Sequence, residues 1–440
     1  MTYPVTVVTE QRVLTPERPK GRASRRRLRQ LLGPGLISGA CNADPSSVGT
    51  YSQIGAQFGY GLTWTLLFTY PLLVAIQETS ARVGRVTGCG IAGNLRRHYP
   101  GWLAVGLVAL LATANIINVA ADLAAMGAVL RRLLGAPALL FICLLALVSV
   151  MIEALTGYAR HVRILKWLSL SLLSYVVCAF VVEVPWGTVA HALVWPQLSA
   201  DPEYVTAVVA ALGTTITPYL FFWQAQQEVE HGRNGGGAAP LLRSPASAPA
   251  EFRRIRIDTL AGMGLSSVVA LFIVITTAST LHVQGVTTIQ TAVEAAEALR
   301  AVAGPFTFHV FALGILGAGL LTLPALSGSA AYAVGELMSW QVEHRRQRLR
   351  GRAYPLAVAA AMLLAVALNF TTINPMRALY WSAVLNGVAG VPLMAILMRL
   401  SSRAEVMGAL TIPRSLRVLG WLATGAMAAS VLGMAVAWLA

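Results

Sequence analysis

Asp44, followed directly by Pro45, is the pair in this chain best suited to chemistry, because both residues stand inside an apolar run long enough to cross a bilayer. Proline removes an amide donor and clashes with the preceding turn, so a helix entering there breaks and the carbonyls before it lose their partners. One carboxylate and several carbonyl dipoles then meet at membrane depth, which is a donor set for a cation. Taken alone, the pair also fits a proline-kinked helix whose Asp is held by a neighbouring helix. A second break lies in Gly213-Thr214-Thr215-Ile216-Thr217-Pro218-Tyr219, again small residues, a polar residue and then proline.

The elements that position these residues are membrane spans. Of 440 residues, 56% are hydrophobic and only 12% charged, with a mean hydropathy of +0.65. That is too apolar for a soluble domain of this size. Runs of about twenty apolar residues give about eleven spans. They are Leu31 to Phe58, Leu62 to Ile76 with its extension to Arg82, Trp102 to Leu130, Ala136 to Ala154, Leu165 to Val182, Tyr204 to Glu228, Thr259 to Leu281, Pro305 to Glu336, Tyr354 to Leu368, Ala378 to Met398, and Leu416 to Leu439. The two breaks fall in the first and sixth. Paired breaks at corresponding positions are the mark of two five-helix halves of inverted topology, facing each other around a midplane site. The division expected is a basic tail at 1–30, a first repeat at 31–186, an outer loop at 187–203, a second repeat at 204–400, and a cytoplasmic loop with the eleventh span at 401–440.

The formal charge of +15 does not indicate nucleic acid, because the basic residues cluster between apolar runs. Arg22 to Arg29, Arg82 to Arg97, Arg160 to Lys166, Arg253 to Arg256, Arg345 to Arg352 and Arg399 to Arg417 occupy alternate loops, while Glu183 to Glu203 carries acids and no Lys or Arg. By the positive-inside rule the N-terminus is cytoplasmic, and an odd number of spans puts the C-terminus outside a cell membrane. Arg131-Arg132 is the exception, at an outer end, where the stems snorkel. The stretch Thr287 to Arg300 reads as an external amphipathic segment. Cys41, Cys89, Cys143 and Cys178 form no CxxC pair and read as reduced core residues. No apolar h-region precedes Leu31, so no cleavable signal is expected.

Several residues carry a resemblance. Gly33-Pro34-Gly35, Asp44-Pro45, Gly55-Ala56-Gln57-Phe58-Gly59-Tyr60, Ser80-Ala81-Arg82-Val83-Gly84-Arg85-Val86-Thr87-Gly88 and Ala121-Asp122-Leu123-Ala124 resemble the Nramp family of divalent-metal transporters. The resemblance implies a leucine-transporter-like inverted repeat. It also implies a metal held by an Asp-Pro-Gly-Asn motif in the first span and a Met-Pro-His motif in the sixth. Here Ser47 stands where the family has Asn, Thr217 where it has Met, and Cys41 and Thr214 where Ala residues lend carbonyls. Tyr219 stands where a His is expected, and Trp223 or Gln224 a turn later. Asp122 matches, but Ala125 replaces the following acid, and Tyr354 to Leu368 lacks the usual arginine pair. Without the soft methionine, the pattern is similar to the Nramp-related magnesium transporters.

The expected metal ligands are therefore Asp44, Ser47, Cys41, Thr214 and Thr217, with Gln53, Asp122, Tyr219, Ser382 and Asn386 along the path. Oxygen donors suit Mg²⁺, and Mn²⁺ as well, whereas a Cys41 thiol facing the ion would favour softer metals. Gln53, Asp122 and the Ser382–Asn386 pair read equally well as helix-packing hydrogen bonds. The cargo expected is Mg²⁺, with Mn²⁺ admitted, moving without proton coupling because the histidine, acid and arginines of a relay are absent. No resident cofactor is expected, and the partners are the metal ion and the bilayer. The alternatives are a proton-coupled Mn²⁺/Fe²⁺ importer of the ordinary Nramp type and a transporter of small organic solutes. An enzyme is not expected, since HExxH, GxSxG and paired His/Glu clusters are missing.

Overall fold

A computed structural model of the chain describes residues 33–155, 164, 168–234, 239–289, 304–338, 347–370 and 375–439. The basic tail at 1–30 and most of the amphipathic stretch from Thr287 to Arg300 lie outside the described residues. Everything regular in the described part is helical. The longer helices are α1 (Pro34–Cys41), α2 (Pro45–Phe58), α3 (Thr63–Thr87), α4 (Ile91–His98), α5 (Gly101–Leu134), α6 (Ala138–Leu155), α7 (Leu173–Val181), α8 (Trp186–Val194), α9 (Pro202–Thr215), α10 (Pro218–Asn234), α11 (Ala248–Thr277), α12 (Pro305–Leu337), α13 (Gln347–Leu368), α14 (Pro375–Ser402) and α15 (Arg414–Leu439).

Both expected breaks are present in the chain path. Helix α1 ends at Cys41, Asn42 to Asp44 are not helical, and Pro45 opens α2, where its missing amide costs nothing. Helix α9 ends at Thr215, Ile216 leaves the helical region at φ −111° and ψ 69°, and Pro218 opens α10.

The chain is a multi-pass membrane protein. Large apolar side chains such as Phe68, Leu140, Phe180, Leu363 and Val436 are turned outward, where lipid rather than water suits them. The count of eleven spans and the five-plus-five repeat are not confirmed. Among the described residues six helices are long and apolar enough to cross a membrane. A seventh span follows if the pair Ser169–Val181 and Trp186–Val194, bent by 119°, is one unit. The shortfall has local causes. The Asp44 break cuts the first span into pieces of 8 and 14 residues, and α3 carries Glu78, Arg82 and Arg85 along its second half. Two more apolar helices, Ala138–Glu153 and Ala353–Leu368, are short. The four cysteines are unpaired, but only Cys41 and Cys178 are buried, so the core assignment fails for Cys89 and Cys143.

Small residues let helices touch where the site requires it. At Gly39 an added Cβ would stand 2.0 Å from the Gly262 carbonyl oxygen, so α1 and α11 meet backbone to backbone. Asp258 on α11 then closes the N-terminus of α1. Its carboxylate accepts from Gly33 N at 2.9 Å, Gly35 N at 2.7 Å and Leu36 N at 3.1 Å, three of the amides a helix start leaves unpaired. The acids Glu78 and Glu228 are held in ion pairs with Arg82 and Arg254, and Arg85 pairs with Glu251 at 3.2 Å.

Candidate metal site at the helix breaks

Asp44 is the N-cap of α2, and its Oδ1 accepts the Ser47 amide at 2.6 Å as well as the Ser47 hydroxyl. The Ser47 hydroxyl also lies 2.8 Å from the Asn42 carbonyl, with one hydrogen to give between the two acceptors. From the other break, Tyr219 in the first turn of α10 donates its hydroxyl to the Cys41 carbonyl at 2.7 Å and lies 3.4 Å from Asp44 Oδ2. Thus the carbonyls of Cys41 and Asn42, freed by the proline, are engaged by side-chain hydroxyls of Tyr219 and Ser47. All of these residues are buried.

The Cys41 thiol points away, 3.6 Å from the Leu321 carbonyl on α12, and only its backbone oxygen faces Tyr219. Thr214 and Thr217 lie at the second break with buried hydroxyls that make no hydrogen bond to protein, which leaves both able to turn to a ligand. Asp122 on α5 is completely buried, and its Oδ1 accepts the Ser46 amide at 2.9 Å while Oδ2 has no donor. A second acid therefore stands one residue from the start of α2.

The remaining path residues are more distant. Gln53 bonds Gln57 Oε1 at 3.2 Å, the Thr287 carbonyl at 3.0 Å and the Ile289 amide at 3.0 Å. It lines a cavity of about 310 Å³ with Gln57, Glu203, Thr206 and Arg377. Asn386 accepts from Asn118 at 3.0 Å, and Ser382 donates to the Leu379 carbonyl at 2.7 Å, so these bonds hold Asn386 to α5 and Ser382 within α14 rather than on Asp44.

Sequence reasoning missed the residues that tie the breaks together. Asn42 donates to the Thr215 carbonyl at 3.2 Å and to Ser266 at 3.3 Å, and Tyr51 shares a hydrogen bond of 2.8 Å with the Thr215 hydroxyl. A signal for Tyr51 existed: Asp44, Ser47 and Tyr51 follow an i, i+3, i+7 spacing along one face of α2. For Asn42 and Thr215 the only hint was their place inside the breaks.

The donor set is one carboxylate with neutral carbonyls and hydroxyls. Among the described residues no group of three or more His, Cys, Asp and Glu side chains could hold a metal. Such a site suits a hard or borderline divalent ion that is bound loosely enough to leave, rather than a structural zinc.

Comparison with known proteins fits this chemistry. The model of the natural resistance-associated macrophage protein-like family, Nramp, matches residues 35–437. A divalent metal cation transporter MntH from Klebsiella pneumoniae is 27% identical over 418 residues, covering 92% of this chain and 93% of its own length. One from Acidiphilium cryptum is 27% identical over 416 residues, with 90% and 88% covered. Among solved structures, a manganese transporter from Eremococcus coleocola superposes with a TM-score of 0.74 at 18% identity, over 95% of this chain and 88% of that one. These findings overturn the magnesium-branch reading. The chain aligns over about nine tenths of its length with MntH transporters and shares its fold with a manganese transporter, so loss of the soft methionine at Thr217 does not by itself assign a branch.

Proposed function

Because the chain belongs to the Nramp family, we propose that it is a secondary transporter of divalent metal cations with Mn²⁺ as its cargo, working by alternating access around the two helix breaks. The observation that carries this reading is Asp44, a buried carboxylate at the start of α2, facing Tyr219 at the start of α10. Mn²⁺ prefers carboxylate, carbonyl and water oxygens and lies at the weak end of the divalent affinity order, which suits an ion that must be released. On entry the ion takes the place of two hydroxyl hydrogens. Ser47 and Tyr219 rotate away from the Asn42 and Cys41 carbonyls, and those oxygens turn to the metal together with Asp44. Thr214 and Thr217 add hydroxyls from the facing break. The halves at 31–186 and 204–400 rock about this point, with the N-terminus in the cytoplasm and the C-terminus outside.

Proton-coupled transport is the better supported form. The missing histidine, acid and arginine pair favour an uncoupled carrier, but Asp122 supplies a second buried carboxyl beside the site, with one oxygen lacking a donor. A metal charge arriving at Asp44 can be compensated by a proton leaving this pair. Proteoliposomes loaded with a Mn²⁺-sensitive dye test the assignment. Wild-type protein takes up Mn²⁺ in competition with other divalent ions, and Asp44→Ala abolishes uptake while melting as the wild type does. Unchanged uptake by a folded Asp44→Ala protein overturns the reading.

A further inference from the structure

The pair Arg131-Arg132 breaks the charge pattern of the chain, and the metal path makes no use of it. With Arg377 at the start of α14, both arginines line a cavity of about 1030 Å³ between α5, α6 and α14. Its wall is a groove of small residues, Ala120, Ala121, Ala124 and Ala128, closed behind by Ile142. Ala121 and Ile142 are only 2% and 4% exposed, so the groove reaches into the helix packing and is not a mere lipid-facing surface. From Ile117 to Arg132 the helical rise is roughly 22 Å, which matches an extended long acyl chain. Among the described residues that line the cavity, the charged ones are all arginines.

We propose that this cavity binds one anionic phospholipid, its acyl chain lying along the alanine groove and its phosphate held by Arg131, Arg132 and Arg377. The chemistry is graded as a lipid is graded. An apolar groove leads to guanidinium groups at one end of the bundle, where a headgroup lies when the tail is in the bilayer. Guanidinium forks match phosphate oxygens bidentately, and a net negative headgroup is favoured where three positive charges converge. Trp381, half exposed and lining the same cavity, is a residue type that sits at headgroup level.

The full chain, purified in a maltoside detergent, is titrated with phosphatidylglycerol and with phosphatidylcholine of the same acyl chains. Bound lipid is counted by native mass spectrometry and melting is followed in parallel. One phosphatidylglycerol per chain is expected to remain bound and to raise the melting temperature, with phosphatidylcholine held at least about tenfold more weakly. The combined Arg131→Gln, Arg132→Gln and Arg377→Gln variant weakens phosphatidylglycerol on the order of a hundredfold, from about fivefold per guanidinium, and leaves phosphatidylcholine unchanged. Ala124→Phe fills the groove and removes retention of both lipids while the lipid-free protein melts as the wild type does, which keeps the test decisive should the triple variant misfold. Equal retention of the two lipids by the wild type, or unchanged phosphatidylglycerol binding in Ala124→Phe or in a folded triple variant, overturns the proposal.

Discussion

At the scale of single residues, the site differs from a soft-metal site by Thr217, whose buried hydroxyl makes no hydrogen bond. Replacing it with a thioether adds a soft donor where the protein offers only oxygens, so Thr217→Met is expected to strengthen Cd²⁺ competition against Mn²⁺ uptake. Superimposable competition curves for the two proteins would remove Thr217 from the ligand set. Tyr219 makes the complementary case. Its hydroxyl occupies the Cys41 carbonyl at 2.7 Å, and Tyr219→Phe leaves that carbonyl buried without a partner. An unsatisfied carbonyl costs about 1–3 kcal/mol in the empty protein. Bound metal can satisfy it again, so the variant is expected to melt lower than wild type without metal and to regain much of the loss on adding Mn²⁺. A metal-independent loss of stability would show that Cys41 O does not reach the ion.

Helix α1 as an element is held by two features, the Asp258 carboxylate over its N-terminus and the backbone contact of Gly39 with Gly262. Asp258→Ala leaves three amides uncapped in a buried place and is expected to cost about 2 kcal/mol or more while α1 lies against α11. Gly39→Ala forces a Cβ into the Gly262 carbonyl, and overpacking of this kind costs about 1–3 kcal/mol. Both changes act on contacts that exist only while α1 lies against α11. They should therefore raise the population with α1 displaced more than they unfold the protein. Cys41 is a native reporter because it is completely buried at the end of α1. In a background with Cys89, Cys143 and Cys178 replaced by Ser, maleimide labelling of Cys41 is expected to quicken in each variant. Labelling at the wild-type rate would show that α1 is not the element that moves.

For the whole molecule the energetic question is what drives the metal. A divalent ion crossing the membrane field gains roughly 4.6 kcal/mol per 100 mV, twice the single-charge value, so a potential alone can move it. A coupled carrier differs in carrying a proton with each metal. In vesicles clamped with valinomycin and K⁺, lumenal acidification should scale with Mn²⁺ uptake after leak is subtracted, and should vanish in Asp122→Asn. Uptake with no acidification returns the carrier to the uncoupled form. The arrangement of basic clusters adds a topological expectation, that phosphatase fused after Ala440 is active and green fluorescent protein at the same place is dark. The opposite pattern would reverse the orientation.

What the sequence determined by itself was local. Proline placement located the breaks at Asp44-Pro45 and Thr217-Pro218, because a missing amide acts on its own turn whatever surrounds it. Continuous apolar runs of about twenty residues set the all-helical membrane class for a similar reason, since a helix satisfies its backbone groups in lipid within its own segment. Only the tertiary structure decided which oxygens face one another. Tyr219 lies on the Cys41 carbonyl, Asn42 on the Thr215 carbonyl, and Asp122 on the Ser46 amide. Each of these pairs is more than seventy positions apart in the chain. No periodicity encodes such a meeting, because it depends on how closely small residues such as Gly39 and Gly262 let separate helices approach.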